Sequence, residues 1–339
     1  MASQTASLLY AHNAEPISRH LARDDVTELV VNEPGVIGLE TREGWEWHVE
    51  PALDNAALMT LAKLIAGLTK QDVNAEYPIC SSVLPGGERA QVVVPPAVQQ
   101  GFVSMTIRKA SAVTMDLDDF ESAGLFSEVR ANGHNEGVDA QLSMYRQLGD
   151  WKAFFRLAVE SRKNILISGA TGSGKTSFSK GLIKLIPSYE RILTIEDTRE
   201  LVVPQRNRVH MMYAKDGKSL QKAGAKELLE SALRMRPDRI LLQELRDGTA
   251  FFYLRNVNSG HPGSITTVHA NTAEGALEQL TLLVKESEGG NDLDRHDIRA
   301  LLRSLVDIVV QMDRLPPSEG RPARYRMTEV WFDPGKPRD

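Results

Sequence analysis

The residues most able to do chemistry are those of GATGSGKT (169–176), which follow the apolar run Ile165, Leu166, Ile167 and precede an apolar-faced stretch with Phe178, Leu182, Ile183 and Ile186 at helical spacing. A glycine-rich loop between a buried strand and a helix cradles phosphates. Gly169, Gly172 and Gly174 free the backbone to turn its N–H groups inward, and the helix beginning near Gly174 adds the positive end of its dipole. In that frame Ala170, Thr171, Ser173 and Ser177 line the phosphates, Lys175 reaches the β- and γ-phosphates, and the Thr176 hydroxyl ligates Mg²⁺. The motif with this context implies a nucleoside triphosphate, ATP with Mg²⁺, as ligand. A glycine-rich turn with no ligand explains neither the lysine nor the flanking elements.

The elements around the loop predict where other chemical groups fall. From Trp151 onward helices and buried strands alternate: a helix over 151–162, strands at 164–169, 191–197, 239–244 and 264–270, and a helix over 226–237. This alternation predicts a parallel α/β sheet of RecA-like type. Ligands of such sheets sit at the carboxyl ends of the strands. The polar residues found there are the loop 169–176, Glu196 with Asp197, Glu244 and His269. Glu244 ends an apolar strand, the place for an acid that holds the Mg²⁺ shell or orients the attacking water, although a surface pair with Arg246 would look the same in sequence. Glu196 and Asp197 form an acidic pair able to divide metal ligation and water polarisation. His269 could donate to a γ-phosphate, or be a satisfied core histidine.

Upstream, residues 1–110 read as a smaller α+β domain. Strands are predicted at 26–32, 36–40, around Trp45 and Trp47, at 90–96 and at 102–109, with an amphipathic helix over 54–68 carrying Leu58, Leu61, Leu64, Ile65 and Leu68 on one face. The acid-rich stretch 111–150 reads as an extended linker with short helical pieces, leaving 151–339 as the RecA-like ATPase domain. A linker of roughly 40 residues is long for a simple connection and leaves open whether the N-terminal domain packs on its own or on a neighbouring subunit.

Composition narrows the function classes. With 339 residues, 42% hydrophobic and 25% charged, the chain is long enough for two domains. The net charge of −5 gives no bulk attraction to nucleic acid, so direct nucleic-acid binding is not supported. Cys80 is the sole cysteine, which excludes a disulfide framework or a cysteine-based zinc site and suits a reducing cytoplasm. No segment reads as a membrane span or an export signal, leaving peripheral membrane association open.

In combination, GATGSGKT, TIEDTREL (194–201), LRMRPDRILLQELRDG (233–248) and SGHPGSITTVHANT (259–272) resemble the Walker A, Asp, Walker B and His boxes of the secretion ATPase superfamily. VTELVVNEPG (26–35), LPGGERAQVVVPP (84–96) and SMTIRK (104–109) resemble the amino-terminal domain of the VirB-eleven-like traffic ATPases of type IV secretion and conjugation machines. The resemblance covers nearly the whole chain. It implies a homohexameric ring at the cytoplasmic face of the inner membrane, working with inner-membrane components and other ATPases of the machine, with nucleotide between the two domains. It also implies site roles. Glu244 prepares the water, Glu196 lies near the metal, His269 and His261 are the His-box histidines, Arg89 and Arg108 reach the γ-phosphate from the N-terminal domain, and Arg236 adds another basic group. Thr249 departs from the pattern, standing where many relatives carry an acid. A pilus retraction or assembly motor is the runner-up reading, and a regulatory nucleotide-binding module a third.

Overall fold

The computed structural model describes residues 2–110, 114–127, 129, 136–214, 220–246, 248–318 and 321–334. The chain opens with helices α1 (Ala2–Asn13) and α2 (Glu15–Leu21), which the sequence reading does not anticipate. Strands β1 (Glu28–Glu33), β2 (Val36–Thr41) and β3 (Gly44–Val49) follow, then helix α3 (Asn55–Leu68), then β4 (Ile79–Val83), β5 (Arg89–Val93) and β6 (Ser104–Arg108). They form one antiparallel sheet in the order β3-β2-β1-β6-β5-β4. Helix α3 starts where the Asp54 carboxylate accepts the Ala57 N–H, an N-cap that satisfies one of the free donors of its first turn. Its Leu58, Leu61 and Ile65 pack on Leu29, Val31, Ile37, Leu39, Val92 and Met105 of the sheet.

Strand alternation gives this sheet a second working face. While Leu29 and Val31 point into the helix-covered core, Asn32 on the other face meets the C-terminal half: its amide donates to Asn207 Oδ1 at 3.0 Å and its oxygen accepts from Arg191 at 2.8 Å. Arg191 also donates to Thr106, and Gln91 donates to Ser231 at 2.8 Å. Val93, Ala97 and Val98 join the core formed by Val209, Met211 and Leu228, so the two halves share a continuous apolar contact.

The stretch expected as linker contains two helices. α4 (Leu117–Ser122) is opened by a reciprocal capping box between Asp116 and Asp119. α5 (Glu136–Leu148) is no linker element: Leu142 is fully buried, and with Val138 and Tyr145 it packs beside Phe154 and Phe155 of α6 (Trp151–Glu160). The spacing 138, 142, 145 is helical, but its polar surroundings hide it in composition.

The C-terminal half continues with β7 (Ile165–Gly169), α7 (Lys175–Ile183), β8 (Ile192–Glu196), β9 (Arg208–Met212), α8 (Ala225–Ala232), β10 (Arg239–Leu242), α9 (Thr249–Asn258), β11 (Ile265–Val268), α10 (Ala273–Glu286), α11 (Arg295–Leu305), β12 (Ile308–Leu315) and β13 (Arg324–Phe332). β9, β8 and β10 are parallel neighbours, and β11, β7 and β12 are too; a bridge between Glu244 and Thr267 joins the groups into β9-β8-β10-β11-β7-β12-β13, with β13 antiparallel at the edge. One face is covered by α6 and α7 over Ile165, Ile167, Ile192, Leu241 and Val310. The other is covered by α8, α9 and α10 over Leu166, Leu193, Ile195, Ile240 and Val268. The strands are apolar on both sides because both faces are covered.

Candidate active site

The site is built at the carboxyl ends of the parallel strands. At the end of β7, Gly169, Gly172 and Gly174 all have positive φ (154°, 75° and 92°). Gly174 is also the N-cap of α7, and a Cβ there would come within 3.1 Å of the Tyr325 ring on β13. The Lys175 ammonium is folded back over the loop, donating to Gly169 O at 2.7 Å and Ala170 O at 3.0 Å, with His269 Nδ1 at 3.3 Å. Burial lowers its pKa, with Glu244 opposing and Arg246 reinforcing the shift. The hydroxyls of Ser168 and Ser173 are buried without a hydrogen-bond partner. Orphaned hydroxyls and left-handed glycines fit a loop shaped around phosphate oxygens. Thr176, one residue into α7, is half-buried, and Ala170, Thr171 and Ser177 are exposed around it.

Across the loop, β11 lies between the strand carrying the loop and the strand leading to Glu244. His269, just past β11, therefore stands between Lys175 and Glu244, with its Nε2 3.0 Å from Glu244 Oε1. That approach is close enough for an ion pair with a protonated ring, yet Oε1 has no aligned hydrogen bond. The other oxygen of Glu244 is held by Arg246, whose second amino group lies 3.3 Å from Asp197 Oδ2. Burial would raise the Glu244 pKa, but Arg246, and then His269 and Lys175, bring it below the ordinary carboxylate value. Glu244 is thus a poised anion. A cavity of about 290 Å³ opens beside it, lined by Arg246, His269, Gln279 and Leu283. Thr249 replaces the acid of the family pattern with a different contact: its hydroxyl accepts the Arg246 N–H at 2.9 Å and donates back to the Arg246 carbonyl, closing the turn into α9.

Glu196 does not occupy the position expected beside a metal. It is fully buried, and Oε1 accepts the N–H groups of Glu200 (2.9 Å) and Leu201 (2.7 Å) while Oε2 accepts from Thr194 at 3.0 Å, with His210 Nδ1 3.4 Å away. Burial raises its pKa, and the His210, Leu201, Glu200 and Thr194 contacts more than reverse this. Its lone pairs clamp the loop after β8. Asp197, through Arg246, is the acid that this loop brings to Glu244. The reason is periodicity: successive residues at a strand end point to opposite sides, and the sequence alone does not tell which of two adjacent acids faces the cleft.

A second group of the residues singled out in the sequence assembles elsewhere. Arg89 and Arg108 are paired across β5 and β6, Glu28 pairs with Arg108 across β1, and both arginines are exposed at the rim of the N-terminal sheet. Glu28 feels the charges of Arg108, Arg191 and Arg236. Arg236 is held by Glu40 and by Asp238 at 2.8 Å, and the half-buried His261 beside them feels the charges of Asp238 and Arg236. This group lies at the amino ends of β8 and β10, and a five-residue strand separates the two ends by roughly 15 Å. Arg89, Arg108, Arg236 and His261 therefore do not meet the loop of their own chain. Of the acidic pair Glu196 and Asp197, the structure turns Asp197 toward Glu244, and the Glu244–Arg246 pair that the sequence left open is present, with Arg246 reaching Asp197 as well. Sequence reading missed the Arg246–Asp197 link and Tyr325 over the loop, neither of which leaves a local signal.

A glycine-rich loop at the head of a RecA-like sheet, with an acid one strand removed, defines a P-loop ATPase. The model of the family described as Type II/IV secretion system protein matches residues 11–321. The chain belongs to that family. It is 53% identical over 337 residues to the Type IV secretion system protein VirB11 of Bartonella henselae, covering 96% of this chain and 93% of the relative. To the protein of the same name from Brucella suis it is 39% identical over 329 residues, covering 96% and 90%. Among solved structures it resembles the VirB11 ATPase from the Brucella suis type IV secretion system in complex with sulphate, with a TM-score of 0.91 and 37% identity over 99% of this chain and 98% of the other. Among the described residues no helix is long and apolar enough to cross a membrane.

Proposed function

We propose that the chain hydrolyses ATP as one subunit of a homohexameric ring that powers a type IV secretion machine, with each nucleotide held between the P-loop of one chain and the N-terminal arginines of the next. The observation that carries this reading is the division of the site residues into two coherent groups at opposite ends of the sheet. Lys175, Glu244, His269 and Arg246 stand around the loop, while Arg89, Arg108, Arg236 and His261 gather about 15 Å away, with the Arg89 and Arg108 side chains exposed. Head-to-tail contact between copies would bring the second group of one chain to the first group of its neighbour.

Within that site each group has a role. ATP enters by replacing the loop carbonyls as partners of Lys175. The Thr176 hydroxyl and the Glu244 carboxylate would hold Mg²⁺, which supplies charge neutralisation at the β- and γ-phosphates. Among the described residues no cluster of three histidines, cysteines or acids forms a metal cage, so the ion would depend on the nucleotide's own oxygens. Glu244 accepts a proton from the attacking water, and Arg246 holds its orientation. His269, between Lys175 and Glu244, senses the γ-phosphate. Glu196 acts from behind by fixing the loop that carries Asp197. Partners are inner-membrane components and other ATPases of the machine, met at the cytoplasmic face of the inner membrane. A pilus motor would use the same chemistry, but relatives at 53% and 39% identity that are named as type IV secretion proteins favour the first reading.

The test separates binding from turnover. Lys175→Ala is expected to abolish hydrolysis and weaken ATP binding, whereas Glu244→Gln retains ATP unhydrolysed, measured by filter binding and phosphate release. Hydrolysis at the wild-type rate by Glu244→Gln would exclude it as the base. Sedimentation with ATP and Mg²⁺ should give a hexamer, and a monomer at micromolar concentration overturns the ring.

A further inference from the structure

Between the N-terminal sheet and the β9 edge lies a cleft of about 110 Å³, apart from the nucleotide loop. Its walls carry Arg199, Arg206, Arg208 and His210 from the C-terminal half, facing Trp47 and Ser104 of the N-terminal domain. One carboxylate, that of Glu33, also lines it.

The three guanidinium groups are fixed without being neutralised. Arg206 lies over the Trp47 ring, 4.6 Å from its centre, a stacking that immobilises the plane and leaves its N–H edge free for an acceptor. Arg208 donates to the Gln205 carbonyl at 2.7 Å and Arg199 to the Gln99 side chain, both neutral acceptors. None of the three has an ion pair among the described residues. Ser104 is 1% exposed, and its hydroxyl is buried without a hydrogen-bond partner. Arg199 and Arg206 are exposed and Arg208 is half-buried, so their charges are solvated, and what an anion adds is a partner for the unmet Ser104 hydroxyl and for three guanidinium groups without a carboxylate. Planar forks beside a hydroxyl donor suit the several oxygens of a phosphoryl group.

The cleft is also connected. His210 lies 2.9 Å from Thr194 Oγ1 and 3.4 Å from Glu196 Oε2, and Glu196 clamps the loop that carries Arg199. The same loop presents Asp197 to Arg246, which holds Glu244.

We propose that this junctional cleft is a second, non-catalytic anion site that takes a phosphoryl group, through Arg199, Arg206, Arg208 and Ser104, and that the loop from Glu196 to Leu201 joins it to the catalytic carboxylate. A soluble phosphate and a phospholipid headgroup share this chemistry, and the cleft accepts it on either source.

The test uses the full chain saturated with a non-hydrolysable ATP analogue, so that the nucleotide loop is filled. Retention of the analogue is measured separately, and a chain that fails to hold it reports on the loop and not on the cleft. Calorimetric titration with inorganic phosphate is expected to give one site per chain, weakened at least tenfold in the Arg206→Gln, Arg208→Gln double variant. Arg206→Lys keeps the charge while losing the planar fork, and is expected to weaken binding by a smaller factor. It also serves if the double variant does not fold. Flotation with phosphatidylcholine vesicles containing phosphatidic acid separates the sources: vesicle binding lost in the arginine variants assigns the lipid headgroup, and phosphate binding without vesicle binding assigns a soluble ligand. No saturable phosphate or vesicle binding to the analogue-filled wild type, or equal affinity in wild type and folded variants, overturns the proposal.

Discussion

At the scale of single residues, the loop and its surroundings make sharp demands. Gly174 has φ of 92° and the Tyr325 ring within 3.1 Å of a would-be Cβ, so alanine there is strained by about 1 kcal/mol of backbone energy and also crowds the ring. Gly174→Ala is expected to weaken ATP binding at least tenfold with little change in melting temperature, checked by calorimetry beside a thermal scan. Arg246 holds Glu244 on one side and Asp197 on the other. Arg246→Gln should lower turnover while leaving ATP affinity nearly intact, because the group lost positions the base and does not touch the loop. Equal losses in affinity and turnover would assign Arg246 to nucleotide binding instead. The loop, Glu244 and His269 were placed at strand ends by type and position, and the structure brings them together there. The choice between Glu196 and Asp197 was not legible, because adjacent acids at a strand end differ only in which way the pleat turns them.

At the scale of elements, α5 shows how composition misleads. Its sequence is polar enough to read as linker, yet Leu142 is fully buried against the aromatic cluster of α6. Leu142→Ala should destabilise the C-terminal half by about 3 kcal/mol, the usual cost of a buried leucine, seen as a lower denaturation midpoint with an unchanged slope. An effect below about 0.5 kcal/mol would return α5 to the linker. The strands were readable because burial on both faces demands continuous apolar runs, as in Ile165–Gly169 and Ile192–Glu196. The hairpin of β12 and β13 was passed over. Its exposed residues, Tyr325 among them, carry no periodic signal, and its place over the loop follows from pairing with β7.

At the scale of the whole molecule, the junction between the halves sets the behaviour. Glu28 is buried there at 3% exposure, and desolvation raises its pKa to about 7 against the ordinary 4.5. A carboxyl whose folded value is raised favours the folded state most below pH 4.5, and that advantage is lost as pH rises through 7. Glu28→Gln is therefore expected to stabilise the protein at pH 8 by about 2–3 kcal/mol relative to wild type and by almost nothing at pH 4, measured by denaturant titration at both values. A gain equal at both values would trace to packing instead. The N-terminal arginines call for an assembly experiment. Arg89→Ala and Arg108→Ala should each lose most hydrolysis while keeping ADP affinity, since ADP lacks the γ-phosphate. Rings mixed from Lys175→Ala and Arg89→Ala subunits should be more active than either parent ring if the arginine serves a neighbour. Absence of rescue would place its action within one subunit, against the roughly 15 Å separation in the single chain.

By itself the sequence determined the glycine-rich loop, the parallel α/β class and a list of candidate groups for acting on a nucleotide, because each depends on local spacing: glycines around a turn, apolar runs of strand length, an acid at a strand end. Only the tertiary structure decided how that list divides. Lys175, His269 and Glu244 come together because β11 inserts between the strands that carry the loop and the acid. Arg89, Arg108 and Arg236 are kept apart from them because the N-terminal sheet packs on Arg191 and Asn207, at the opposite ends of the same strands. Strand order and domain packing join residues far apart in the chain, and no local pattern of spacing encodes which end of a sheet a distant domain will cover.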